Sequence, residues 1–191
     1  MNQIKRIILT LLVLIAVKGM NAQSFQPYKS CIIAYSGYDY PVVPGTESWK
    51  NITYAQRLAS LQMPDDTLQN ISTSRLLETC LYYPFNINIF ALDDKMAGYE
   101  RVKESFNGYD ELVQRTDFVQ ELMNLYNSRD VAFVNRIDTV YDRGLYSFDF
   151  QIMEFMFTDA ANIATNMQAA QIAFMLMNKM DQKEQHSSIS F

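Results

Sequence analysis

Residues 152–180, IMEFMFTDAANIATNMQAAQIAFMLMNKM, carry apolar side chains at Ile152, Met156, Ala160, Ile163, Met167, Ala170, Phe174 and Met177. After a single four-four step the spacing alternates between three and four. That draws one apolar seam along a continuous helix of about thirty residues, the pattern by which helix packs on helix. Six of the eleven methionines (Met153, Met156, Met167, Met175, Met177 and Met180) fall in this stretch. Flexible thioethers fill core gaps or form an adaptable partner groove. Met175, Leu176 and Met180 widen the apolar face, so the helix is expected to be covered on two sides, at the centre of a bundle or in a dimer.

Helical punctuation recurs upstream of this stretch. A short helix is expected through Trp49. Thr53 with Gln56 forms a capping-box pair, and Pro64 followed by Asp65 and Asp66 suits a helix start. Ser72 or Thr73 opens a helix that ends at Tyr83 and Pro84, and Asp93 or Asp94 opens another that Asn107 and Gly108 close. Leu112, Val119, Leu122, Met123 and Tyr126 share one face of a longer helix. A further helix through Val134, Ile137 and Tyr141 is expected to be interrupted at Arg143 and Gly144. No strand-like alternation of similar length occurs. The sequence therefore predicts an all-α protein, a multi-helix bundle or helical-hairpin array with a long Met-rich C-terminal helix.

At the other end, Lys5 and Arg6 precede residues 7–17, which are apolar except for Thr10, and Gly19, Met20, Asn21 and Ala22 follow. This is the grammar of a secretory signal peptide, too short to span a bilayer as a mature helix. The expected organisation is a leader over residues 1–22, an extended Tyr/Pro-rich arm over 23–45, one helical domain over 46–182 and a flexible tail over 183–191. Pro41 and Pro44 disfavour helix in the arm. The chain is expected to be exported, to the periplasm or the cell exterior, with no membrane span in the mature part. Without the leader, thirteen basic side chains face twenty-one acidic ones, a balance of −8. Such a chain lacks the basic cluster that nucleic acid or an anionic membrane requires, so nucleic acid is excluded as a partner.

A run of motifs between Tyr40 and Asp117 extends this picture. It comprises Tyr40-Pro41-Val42-Val43-Pro44-Gly45-Thr46, Trp49-Lys50, Met63-Pro64, Ile71-Ser72-Thr73, Leu76 to Pro84, Phe106-Asn107-Gly108-Tyr109, and Arg115-Thr116-Asp117. In that order the motifs resemble uncharacterised exported helical proteins of gut-type bacteria. The resemblance covers roughly 80 residues and implies bacterial export and a helical fold. It implies no activity and no catalytic residue.

Catalysis near neutral pH needs groups that exchange protons or attack as nucleophiles. His186 is the sole histidine, which removes histidine triads and histidine metal sites, and neither a metal nor a cofactor is expected. Glu78, Glu104, Asp110, Glu111, Glu121 and Glu154 remain as material for a carboxylate pair. Glu154, flanking the seam, is the acid to examine for burial. Asp65, Asp66, Asp93, Asp94, Asp110 and Glu111 sit at expected helix starts, where capping accounts for them. Cys31 and Cys80 form a candidate disulfide of the kind an exporting compartment permits. Alternatively Cys80, one turn from Leu76, is a buried free thiol.

Twelve Tyr, twelve Phe and one Trp make aromatic rings abundant. Tyr35, Tyr38, Tyr40 and Trp49 are the candidate binding residues, since exposed flat rings stack on sugars or peptides. The rival reading has them pinning the arm to the bundle. The functional expectation is a non-enzymatic binding or interaction module whose partner is a protein or glycan of the cell envelope or the exterior. The alternatives are a carboxylate-dependent hydrolase of cell-wall or dietary glycan, and a structural homo-oligomer formed through the C-terminal helix.

Overall fold

A computed structural model describes residues 35–186; the leader, Cys31 and residues 187–191 lie outside the described residues. Among the described residues are nine α-helices, two 3-10 helices and no strand. In chain order the α-helices are α1 (Glu47–Lys50), α2 (Tyr54–Ser60), α3 (Asp65–Asn70), α4 (Thr73–Leu81), α5 (Lys95–Lys103), α6 (Asn107–Leu112), α7 (Phe118–Ser128), α8 (Val140–Ile163) and α9 (Asn166–Gln185). The 3-10 helices, Asn86–Ala91 and Val131–Arg136, follow α4 and α7. The all-α expectation with a long C-terminal helix holds.

Local chemistry sets many of the boundaries. Thr53 and Gln56 form the capping box that opens α2, Ser72 caps α4, and the Asp94 carboxylate accepts from the Met96 and Ala97 amides at the start of α5. Each satisfies backbone donors that a helix start leaves without an intrahelical partner. The last carbonyls of α4 are met from inside the core. Asn86 Nδ2 donates to the carbonyls of Cys80 and Leu81 at 2.8 and 2.9 Å.

The hydrophobic core runs from α4 through α5, α6 and α7 to α8. In α8, Ile152, Met153, Met156 and Ala160 are wholly buried. Aromatic rings knit the layers together. Tyr83 stacks on Phe106 with centroids 4.4 Å apart, and Tyr126 meets Phe150 and Phe157 edge-on. Such contacts add to area burial by about 0.5–1.5 kcal/mol per pair.

Several boundaries differ from the periodic reading. Gly144 does not interrupt a helix; it lies inside α8, where a Cβ would meet nothing within 4 Å. Asn107 and Gly108 begin α6 rather than close α5, and the longer helix expected from Leu112 is divided between α6 and α7. Three residues of the expected tail, Lys183, Glu184 and Gln185, are helical. The principal difference lies in the seam. Ala164 (φ −67°, ψ 143°) and Thr165 (φ −65°, ψ 159°) are extended, and they separate α8 from α9. The chain turns there, and α9 packs against α7 and the 3-10 helix Val131–Arg136.

Candidate functional site

The described part of the arm is anchored to α4 by polar contacts. Ser36 donates through both its amide and its hydroxyl to the Glu78 carboxylate, each at 2.8 Å. The Tyr38 amide donates to Thr79 Oγ1, and the Arg75 guanidinium donates to the carbonyls of Ser36 and Gly37. Tyr35 turns its hydroxyl back to the Tyr38 carbonyl at 2.7 Å, and its ring meets Tyr82 edge-on. Tyr38 is half-buried against Tyr40, which is only 4% exposed. Burial raises the hydroxyls of Tyr35 and Tyr40 above their ordinary value.

Trp49 is half-buried beside Phe85, with the Arg57 guanidinium 5.3 Å from its ring centroid. A chain of ring contacts links it to the arm through Phe85, Tyr83, Phe106 and Tyr40. The four candidate aromatics are thus brought together through the core. Tyr40 presents almost no ring to solvent.

The acids are tied into the helix packing. Glu154 accepts from the Tyr126 hydroxyl at 2.6 Å and from the Lys183 ammonium at 2.5 Å. Asp159 accepts from the Tyr99 hydroxyl at 2.8 Å and from Lys103 at 2.6 Å. Asp149 accepts from Tyr82, whose hydroxyl in turn accepts from Arg129. A carboxylate beside a phenol disfavours phenolate, so both burial and Glu154 raise the Tyr126 hydroxyl, and burial, Tyr109 and Asp159 do so for Tyr99. For Lys103, burial opposes the charged form, but the hydrogen bonds its ammonium donates to Asp159 and Glu100 outweigh it and raise the pKa. Glu111 pairs with Arg115 at 2.6 Å. Glu104 and Asp110 are exposed. Cys80 is a free, fully buried thiol whose pKa burial pushes up. Among the described residues no group of three His, Cys, Asp or Glu side chains could hold a metal ion.

After Ala160 the seam changes character. Ile152, Met156 and Ala160 are fully buried, whereas Ile163, Met167, Phe174 and Met177 are 51%, 71%, 68% and 64% exposed. In α9 the buried line is Ile172 and Lys179, flanked by half-buried Met175, Leu176 and Lys183. Exposure begins at Ile163, the last residue of α8, and after the two extended residues the line continues on the solvent side of α9. Lys179 fits the buried line because its ammonium donates to the Arg129 carbonyl and lies 5.9 Å from the ring centroids of Tyr126 and Phe150. Burial lowers its pKa, with Lys183 adding to the effect and Asp130 opposing it.

Beside the exposed line, a groove of about 360 Å³ opens between α7 and α9. Amides of Gln120, Asn124, Gln171 and Asn178 line it together with Met123, Phe174, Met175 and Lys179. No acidic side chain lines it. From residue 160 to residue 178 the sequence has no charged side chain at all. None of these helices is long and apolar enough to cross a membrane.

Periodicity alone placed Met167, Phe174 and Met177 on a covered line. The signal that could have found their exposure is the Thr165-x-x-Gln168 capping pattern, the same device read correctly at Thr53 and Gln56. No protein-family model, curated protein or solved structure matches this chain.

Proposed function

We propose that the protein is a non-enzymatic interaction module and that the outer face of α9 is its docking surface. The observation that carries this reading is the line of Met167, Ala170, Phe174 and Met177, which faces solvent with no charged side chain between residues 160 and 178. A solvated helix face is ordinarily polar. Contiguous exposed apolar surface marks sites of association, and depletion of charge distinguishes the centre of an interface from the rest of a protein surface. Methionine suits such a surface because its unbranched side chain repacks against different partners. The leader-like residues 1–22 support an exported setting, the periplasm or the cell exterior, and the order of motifs from Tyr40 to Asp117 supports kinship with exported helical proteins of gut-type bacteria.

The test is site-specific photo-cross-linking in the producing cell. A photoreactive residue at position 174 is expected to give a defined adduct, while the same residue at exposed Thr116 gives none. Absence of an adduct at 174, or equal adducts from both positions, overturns the reading.

A further inference from the structure

Methionine is among the side chains most often found fully buried, yet α9 turns three of them to water. Met167, Met177 and Met180 are each more than half exposed. Elsewhere among the described residues sulfur is kept inside. Met63, Met123, Met153 and Met156 are buried, and Met96, on α5, is 37% exposed. The Cys80 thiol is fully buried with its pKa pushed up, so it offers little thiolate to compete for an oxidant. The sulfur that a dissolved oxidant meets first is therefore concentrated between residues 167 and 180 of one helix.

We infer that Met167, Met177 and Met180 form an oxidation site, at which a peroxide makes the outer face of α9 polar while the core stays reduced. The inference rests on the docking surface proposed above and gives that surface a chemical regulator. Each thioether sulfur gives a lone pair to one peroxide oxygen, the O–O bond breaks, and the other oxygen leaves as water once protonated. The sulfur loses two electrons to become a sulfoxide, and the peroxide is reduced by the same two. The sulfoxide oxygen is a hydrogen-bond acceptor, which solvent satisfies at these exposed positions without disturbing the fold. A partner that covers it and offers no donor leaves it unpaired, so association weakens. Two thiols reverse the step through a methionine sulfoxide reductase: they form a disulfide, and the oxygen leaves as water. Leucine would supply similar apolar area at these positions without this chemistry.

Hydrogen peroxide is the probe. Timed exposure of the purified protein, read by peptide mass spectrometry, is expected to add one oxygen at Met167, Met177 and Met180 at least about tenfold faster than at Met153 or Met156. Circular dichroism is expected to stay unchanged meanwhile. Equal rates at the two sets, or unfolding that accompanies the first oxidation, overturn the inference. In the producing cell, a peroxide pulse is expected to cut the adduct from the photoreactive residue at position 174 at least about fivefold. The variant M167L/M177L/M180L has no oxidisable sulfur at these positions, so the ratio of its adduct yields with and without peroxide is expected to be one. A parent yield that peroxide leaves unchanged, or a variant yield that falls in the same proportion, retains the docking surface and removes the oxidation site's effect on it. No adduct from the parent before peroxide removes the docking surface, and the inference with it.

Discussion

Thr165 and Gln168 hold each other in a reciprocal pair: the Gln168 side-chain oxygen accepts from the Thr165 amide at 2.9 Å, and Thr165 Oγ1 accepts from the Gln168 amide at 3.3 Å. This capping box opens α9 where the apolar seam alone would have continued α8. It starts a separate helix whose share of the seam, Met167, Phe174 and Met177, meets solvent.

Removing the cap has a bounded cost. Thr165→Ala is expected to destabilise the protein by about 1 kcal/mol, since the first amides of α9 lose their side-chain acceptor. Thr53→Ala, at the equivalent position before α2, provides the comparison. Urea denaturation followed by circular dichroism measures both, and the prediction fails if T165A is neutral.

The two halves of the seam should respond oppositely to truncation. Met156 is fully buried, so Met156→Ala is expected to cost about 2–5 kcal/mol. Phe174→Ser, at a site 68% exposed, is expected to change the stability of the dilute protein by no more than about 0.5 kcal/mol. A large loss from F174S would place Phe174 in the core and contradict the break at Thr165.

Two helical glycines make a second opposed pair. Gly98 in α5 lies so close to the 3-10 helix Asn86–Ala91 that a Cβ there would collide with the Ile89 carbonyl oxygen. Gly98→Ala is expected to destabilise by about 1–3 kcal/mol or more, because backbone must move to admit the methyl group. Gly144 has open space around it within α8, so Gly144→Ala is expected to stabilise by about 0.5–1 kcal/mol through helix propensity. Thermal unfolding of the two variants checks both signs.

Alkaline pH should unfold the protein through its tyrosines. Burial pushes the hydroxyls of Tyr83 and Tyr146 up to about 12 and raises those of Tyr99, Tyr109 and Tyr126 as well. Unfolded tyrosine titrates near 10. A group with a raised folded pKa stabilises the fold fully below its unfolded value, and that contribution is lost as pH climbs through the folded one. Stability is thus expected to be insensitive to these groups below about pH 10 and to fall from there through about pH 12. Denaturation midpoints measured across that range, with tyrosinate absorbance recorded in parallel, should show ionisation arriving together with unfolding. Early ionisation of all the tyrosines in a protein that stays folded would refute this account.

Much of the helical punctuation was legible because it is local chemistry. Thr53 with Gln56, Ser72 and Asp94 cap where their side chains can reach their own backbone, and such contacts need no tertiary partner. Asn107 and Gly108 were misread because the turn residues that often close a helix here open α6. The arm aromatics were found as a group, but whether a ring is offered or buried depends on Glu78, Thr79 and Arg75, roughly 40 residues further along the chain. The polar ties that engage Glu154 and Asp159 were likewise invisible, since Lys183 and Lys103 reach them from helices distant in sequence.

By itself the sequence determined the all-α class, many of the caps and the existence of a methionine-rich apolar line at the C-terminus, because spacing at three and four and side chains within reach of their own backbone act over a single helical turn. Only the tertiary structure decided which side of that line is covered. Two extended residues at Ala164 and Thr165 separate α8 from α9, and burial then depends on where α7 and the 3-10 helix Val131–Arg136 stand. The seam's first half closes the core and its second half faces outward for the same reason: a periodic pattern records that a helix has an apolar face, while neighbours distant in sequence determine what that face meets.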